Sequence, residues 1–146
     1  MIKALTSVGA FVCLDKPYQI GYNIWAIVLT REFIMLPEFE KRWEQIGLTD
    51  SDLKRLQAEL LFTSQDNPVM QGTGGLRKVR FALENRGKSG SVRVVYVDFV
   101  VYETIYLITA YTKNEKDNLS KSERNAIKAV IEQLEKQIRS NKEALK

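Results

Sequence analysis

Three runs rich in β-branched and aromatic residues, Leu76–Leu83, Val92–Phe99 and Val101–Thr112, follow one another, broken mainly by Arg86-Gly87-Lys88-Ser89-Gly90. This is the spacing of an antiparallel meander, and it constrains the chain more than any other feature, because the remaining elements must cover a sheet. Ahead of the meander the pattern changes period. Arg31–Leu36 reads as a short strand, and Pro37 stands where a helix begins, with Glu38 and Glu40 in its first turn. Phe39, Trp43 and Ile46 supply an i, i+4, i+7 stripe that Gly47 ends. Thr49 followed by Asp52 is an Asp version of the capping box, and Leu53, Leu56, Leu60 and Leu61 carry the apolar face onward. Gln65–Gly75 is a polar loop bearing Gly and Pro. After the meander, Ser120 and Glu123 form a regular capping box ahead of a helix striped by Ile127, Val130, Ile131, Leu134 and Ile138. The expected order is β-α-α-β-β-β-α, an α+β domain whose antiparallel sheet has helices packed on one face.

That domain is expected to span residues 30–146. Residues 1–29 are nearly uncharged and form an N-terminal extension of different texture, ending in a strand at Ile24–Leu29. Lys3 heads an apolar run from Ala4 to Leu14, as in a signal peptide, but Asp15, Lys16 and Pro17 follow where a small-residue cleavage site belongs. No apolar stretch reaches the ~18–20 residues of a membrane span. Met1–Val28 reads as an upstream translation artefact or an optional extension, with Leu29 as a non-AUG start.

Composition narrows the chemistry. The 146 residues include no histidine and one cysteine, Cys13, which excludes a Ser-His-Asp triad, a Cys-His pair, a Cys/His zinc site and an intramolecular disulfide. Catalysis would run on carboxylates, amines, guanidiniums, tyrosine or hydroxyls, and no metal or cofactor is expected. The single thiol suits a reducing cytoplasm. The net charge of +4 is local: six cations, Arg77, Lys78, Arg80, Arg86, Lys88 and Arg93, face one anion, Glu84. Cations placed mostly on strands mark a surface for an anionic partner such as a nucleic-acid backbone, against the plainer alternative of a solvated basic loop. Gly72-Thr73-Gly74-Gly75 lacks the lysine and helix that a phosphate-cradling loop requires.

Period-two alternation sorts the strands. Lys78 and Arg80 share one face, opposite Arg77, Val79 and Phe81. Arg93, Val95 and Val97 point one way, Val94 and Tyr96 the other. On the third strand Ile105, Leu107, Thr109 and Tyr111 alternate against Tyr106, Ile108 and Ala110. With helices on one face only, and cations disfavoured beneath them, Lys78, Arg80 and Arg93 should project together from the open face, joined by Tyr111 and Lys113. Such a cluster suits phosphodiester cleavage of RNA, in which a 2′-hydroxyl attacks phosphorus and guanidinium or ammonium donors stabilise the developing charge. Proton transfer would need a lysine whose pKa is lowered by neighbouring cations. A phosphate-binding surface without catalysis fits the charge pattern equally well.

Three motifs in order, Gln71–Ala82 (QGTGGLRKVRFA), Arg86–Tyr96 (RGKSGSVRVVY) and Ile105–Ser120 (IYLITAYTKNEKDNLS), resemble the RelE/ParE toxin superfamily, most closely its HigB-type branch, over roughly residues 30–138. The resemblance implies the toxin of a bacterial type II toxin–antitoxin pair: a small cytoplasmic, metal-independent endoribonuclease that cuts mRNA on the ribosome and has no membrane association. It implies a helix-turn-helix antitoxin as partner and operator DNA bound through that antitoxin. Carried over by motif, the catalytic residues are Lys78, Arg80, Arg93, Tyr111 and Lys113, and the RNA-binding residues are Arg77, Arg86 and Lys88. Arg93 would stabilise the scissile phosphate, Lys78 or Lys113 would transfer the proton, and Tyr111 would stack on or orient a base. Some HigB-like toxins use histidines and this chain has none, so the resemblance points to a Lys/Arg-driven mechanism or to an inactive relative. Relatives begin close to Thr30-Arg31-Glu32-Phe33. The alternative is a non-nucleolytic binding module on the same scaffold, a gyrase inhibitor or an operator-binding corepressor.

Overall fold

A computed structural model describes residues 3–5, 31–83 and 91–145. The strand expected at Ile24–Leu29 and the turn carrying Arg86 and Lys88 lie outside the described residues. The elements are β1 (Lys3–Leu5), β2 (Glu32–Met35), α1 (Pro37–Ile46), α2 (Asp50–Thr63), β3 (Leu76–Ala82), β4 (Ser91–Phe99), β5 (Thr104–Thr112) and α3 (Lys121–Ala144).

Local chemistry sets the helix ends. Pro37 opens α1, and Gly47 closes it at φ 88°, a left-handed conformation that glycine adopts without a side-chain penalty. Both capping boxes form: Thr49 with Asp52 at α2, and Ser120 with Glu123 at α3. The Thr49 hydroxyl accepts from the Asp52 N–H at 3.2 Å, so Thr49→Ala is expected to cost ~1 kcal/mol. Urea titration should register this as a lower midpoint with an unchanged m-value.

The strands form one sheet in the order β1-β2-β5-β4-β3. The expected meander is there, with β3, β4 and β5 successively antiparallel. The sheet as a whole is mixed, however, because β2 runs parallel to β5 from Glu32↔Thr104 to Met35↔Leu107, while β1 pairs antiparallel with the far edge of β2. The third meander strand also starts later than expected. Val100–Tyr102 form a 3₁₀ turn, and Glu103 takes a left-handed φ of 52° before β5 begins at Thr104.

Helices cover both faces rather than one. On one side α1 and α2 bring Phe39, Trp43, Leu53, Leu56, Leu60 and Leu61 against Phe33, Val79, Phe81, Val94, Tyr96 and Leu107. On the other, α3 lays Ile131, Leu134 and Ile138 on Leu76, Val95, Val97, Tyr106 and Ile108. The reason is written in β4. Val92, Val94, Val95, Tyr96 and Val97 are all 2% exposed or less, and a strand apolar on both faces must be covered on both.

A bulge then changes the side-chain alternation of β5. Pairing passes from Val95↔Thr109 to Tyr96↔Leu107, leaving Ile108 unmatched on β4. Leu107 faces α1 and α2, Ile108 joins the α3 cluster, and Thr109 lies opposite Val95, on the α3 side as well. Tyr111 therefore leaves the face of Ile105 and Leu107, where simple alternation puts it, and joins the α3 face.

Candidate nucleic-acid interface

The register builds a row across three strands. Arg80 lies opposite Arg93, and Arg93 opposite Tyr111; directly opposed residues bring their Cβ atoms to within about 5 Å of one another. Lys78 is two residues from Arg80 on the same face and opposite Val95. The structure thus brings Lys78, Arg80, Arg93 and Tyr111 together. Without the bulge at Ile108, Tyr111 would point away from Arg93.

This face is not the open one that was expected. It is the α3 face, and the row lies beyond the helix proper. The buried residues of α3 begin at Ile131, so the part of the sheet bearing Arg93 and Tyr111 is met instead by the connector between β5 and α3, where Leu119 is buried in the same cluster as Tyr111. The connector touches the row at two further points. Lys78 Nζ donates to Asn118 Oδ1 at 2.8 Å, and Lys116 Nζ sits 5.2 Å above the centre of the Tyr111 ring. Lys113, one residue past β5, is exposed.

Burial grades the row. Arg80 is exposed and Lys78 half-buried, whereas Arg93 is only 8% exposed and donates to Ser91 Oγ at 2.9 Å. Tyr111 is 1% exposed and its hydroxyl, among the described residues, has no hydrogen-bond partner. Burial pushes this phenol above the usual tyrosine range, with the Arg93 charge opposing and Glu123 reinforcing the shift. It therefore stays protonated at neutral pH and is a donor. A ring this buried offers no face to a base, which corrects the stacking role expected for Tyr111, and its hydroxyl oxygen is buried along with it.

Arg77 belongs elsewhere. Alternation puts it on the α1/α2 face, where its guanidinium donates to the carbonyls of Asn67 and Gln65, the latter at 3.2 Å. It pins the loop after α2 instead of joining Arg93, so its expected place in an RNA-binding surface is not where the fold puts it. Around it is a polar cluster. Tyr96 Oη donates to the Ser64 carbonyl at 2.6 Å and accepts from Asn67 Nδ2 at 2.9 Å. Asp98 accepts from Ser64 Oγ at 2.7 Å and Gln65 Nε2 at 2.6 Å, and pairs with Arg31 Nε at 3.3 Å.

Residues 36–146 match the family model of the RelE toxin of the RelE/RelB toxin–antitoxin system. The chain belongs to the RelE toxin family. As a RelE toxin it is one half of a toxin–antitoxin pair, and its partner is an antitoxin. Among the described residues of this RelE-family chain, no three His, Cys, Asp or Glu side chains are grouped to hold a metal ion, and no helix is long and apolar enough to cross a membrane.

Sequence reasoning missed three residues at the row: Lys116, Asn118 and Glu123, of which Glu123 stood out only as a helix cap. Lys116 and Asn118 arrive by the path of an irregular connector, which no periodicity encodes. The orphaned Tyr111 hydroxyl gives a direct test. Removing it in Tyr111→Phe breaks no hydrogen bond, so thermal melting should place the variant within ~0.5 kcal/mol of the parent.

Proposed function

We propose that this RelE-family toxin is an endoribonuclease of the HigB-type branch that cuts translated mRNA at the ribosome and so arrests protein synthesis in the cytoplasm. The observation that carries this reading is the buried Arg93, flanked across the sheet by Arg80 and by Tyr111, whose protonated hydroxyl has no partner among the described residues. A guanidinium fixed in a low-dielectric setting is suited to the charge that grows on a phosphate during attack by the neighbouring 2′-hydroxyl. In that step the 2′-hydroxyl gives up its proton to solvent and its oxygen bonds to phosphorus, while the bond from phosphorus to the 5′-oxygen breaks and the 5′-oxygen leaves with a proton. Lys78, which reaches the row from β3, or Lys113 at the end of β5, supplies that proton, and Arg80 binds the adjoining backbone. Tyr111, buried directly across from Arg93, helps to hold that guanidinium in position for the substrate. A helix-turn-helix antitoxin holds the toxin silent, and the pair binds its operator through that antitoxin.

Primer extension on a translated message, after inducing the toxin without its antitoxin, tests this reading. Cuts inside the reading frame are the expected result. Intact mRNA accompanied by gyrase-dependent DNA damage would replace the nuclease by a gyrase inhibitor. The absence of toxicity on induction would leave an operator-binding corepressor.

A further inference from the structure

The connector between β5 and α3 carries a charge pair that no step above uses. Lys116 Nζ donates to Glu123 Oε2 at 2.5 Å while sitting above the Tyr111 ring. Glu123 in turn accepts from the Ser120 N–H as part of the α3 cap. The Lys116 hydrogen bond is the largest cause of the lowered Glu123 pKa, so the carboxylate stays ionised at neutral pH. The neighbouring acid, Glu115, is engaged by Arg42. Lys116 is therefore a cation beside the Arg80–Arg93–Tyr111 row whose ion-pair partner among the described residues is a single carboxylate, itself next to the row. Both groups are part-exposed and the pair lies in an open cleft with Arg42, Ile108 and Ile127.

We propose that Lys116 is a further RNA-phosphate contact held in reserve by Glu123, and that Glu123 acts as a brake on RNA binding. This rests on the reading of the row as an RNA site. When a phosphate approaches Arg93, Lys116 exchanges the Glu123 carboxylate for a phosphate oxygen. The ammonium changes one anionic partner for another without leaving the Tyr111 ring, and no bond other than the ion pair is broken. Glu123 opposes the exchange twice, by competing for Lys116 and by repelling the incoming phosphate.

If the pair were only a structural clasp, breaking it from either side would have the same consequence. As a reserve contact it gives opposite signs. Lys116→Met keeps the aliphatic stem over Tyr111 and removes the charge. Glu123→Gln keeps a residue able to complete the capping box and removes the competitor. The measurement is binding of a labelled single-stranded RNA, and of the all-2′-deoxy strand of the same sequence to suppress cleavage, over a series of salt concentrations. Lys116→Met should weaken binding and reduce the slope of log K against log salt by about 0.7, the loss of one phosphate contact on a single strand. Glu123→Gln should tighten binding several-fold. Changes of the same sign, or an unchanged salt slope in Lys116→Met, would overturn the proposal. Arg93→Ala measured alongside separates the two readings: if it too leaves binding unaltered, the RNA site itself is wrong, whereas weakened binding in Arg93→Ala alone removes only Lys116.

Discussion

Arg93→Ala should abolish growth inhibition in cells lacking the antitoxin while leaving the fold intact. Arg93 is the one charged member of the row that is nearly buried, at 8% exposure, and its position is set by pairing on both sides, to Arg80 and to Tyr111. A preorganised donor aimed at developing phosphate charge is worth ~10²–10³ in rate, enough to take a toxin from lethal to silent. Among the described residues the one hydrogen bond the variant loses is that to the Ser91 hydroxyl, so circular dichroism should be that of the parent. Arg93→Lys should recover only part of the activity, because an ammonium keeps the charge and loses the planar fork that can grip two phosphate oxygens. Full toxicity in Arg93→Ala would remove the residue from the mechanism.

Asp98→Ala should be the most destabilising polar substitution at the other end of β4, costing ~3 kcal/mol, the scale for removing one partner of a buried ion pair. The Asp98 side chain is fully buried and accepts from Ser64, Gln65 and Arg31, the last only 8% exposed. Deleting it strips an acceptor from all three and loosens the junction of α2 with the sheet. Against a total stability of ~5–15 kcal/mol for a typical domain this is a large fraction, and the melting temperature should drop by ~10 °C. A loss below ~1 kcal/mol would mean that water replaces the carboxylate at little cost. Growth inhibition by the folded fraction should persist, because this cluster faces α2 and not the Arg93 row.

These two sites differ in how far the sequence discloses them. Thr49, Asp52, Ser120, Glu123 and Gly47 act through neighbours within a few residues, so the helix ends were legible. The apolar periodicities of α1, α2 and α3, and the succession of β3, β4 and β5, were legible for the same reason. Which faces are covered was also written in the chain, in the unbroken Val92–Val97 run, although the expected one-sided packing passed over it. The parallel β2–β5 pairing depends on contacts between distant segments and leaves no local mark. The bulge at Ile108 is likewise silent, because nothing in Leu107-Ile108-Thr109 distinguishes it from a regular strand. That bulge decides the site: the motif named Tyr111 as part of it, yet alternation alone aims Tyr111 at the wrong face. Arg77 illustrates the converse, a cation inside the basic run whose parity places it with Val79 and Phe81 among structural groups.

The parallel pairing of β2 with β5 also sets an order of events during synthesis. Four of the strands can be complete while the sheet still lacks its middle, since Glu32 must wait for Thr104 and Arg93 for Tyr111. Closing so long a loop is entropically slow and comes late in folding. A nascent chain halted before β5 therefore holds every residue of the Lys78–Arg80–Arg93 group and still has no assembled site. The Arg80–Arg93–Tyr111 row is therefore completed only once the chain has been made as far as the end of β5 at Thr112.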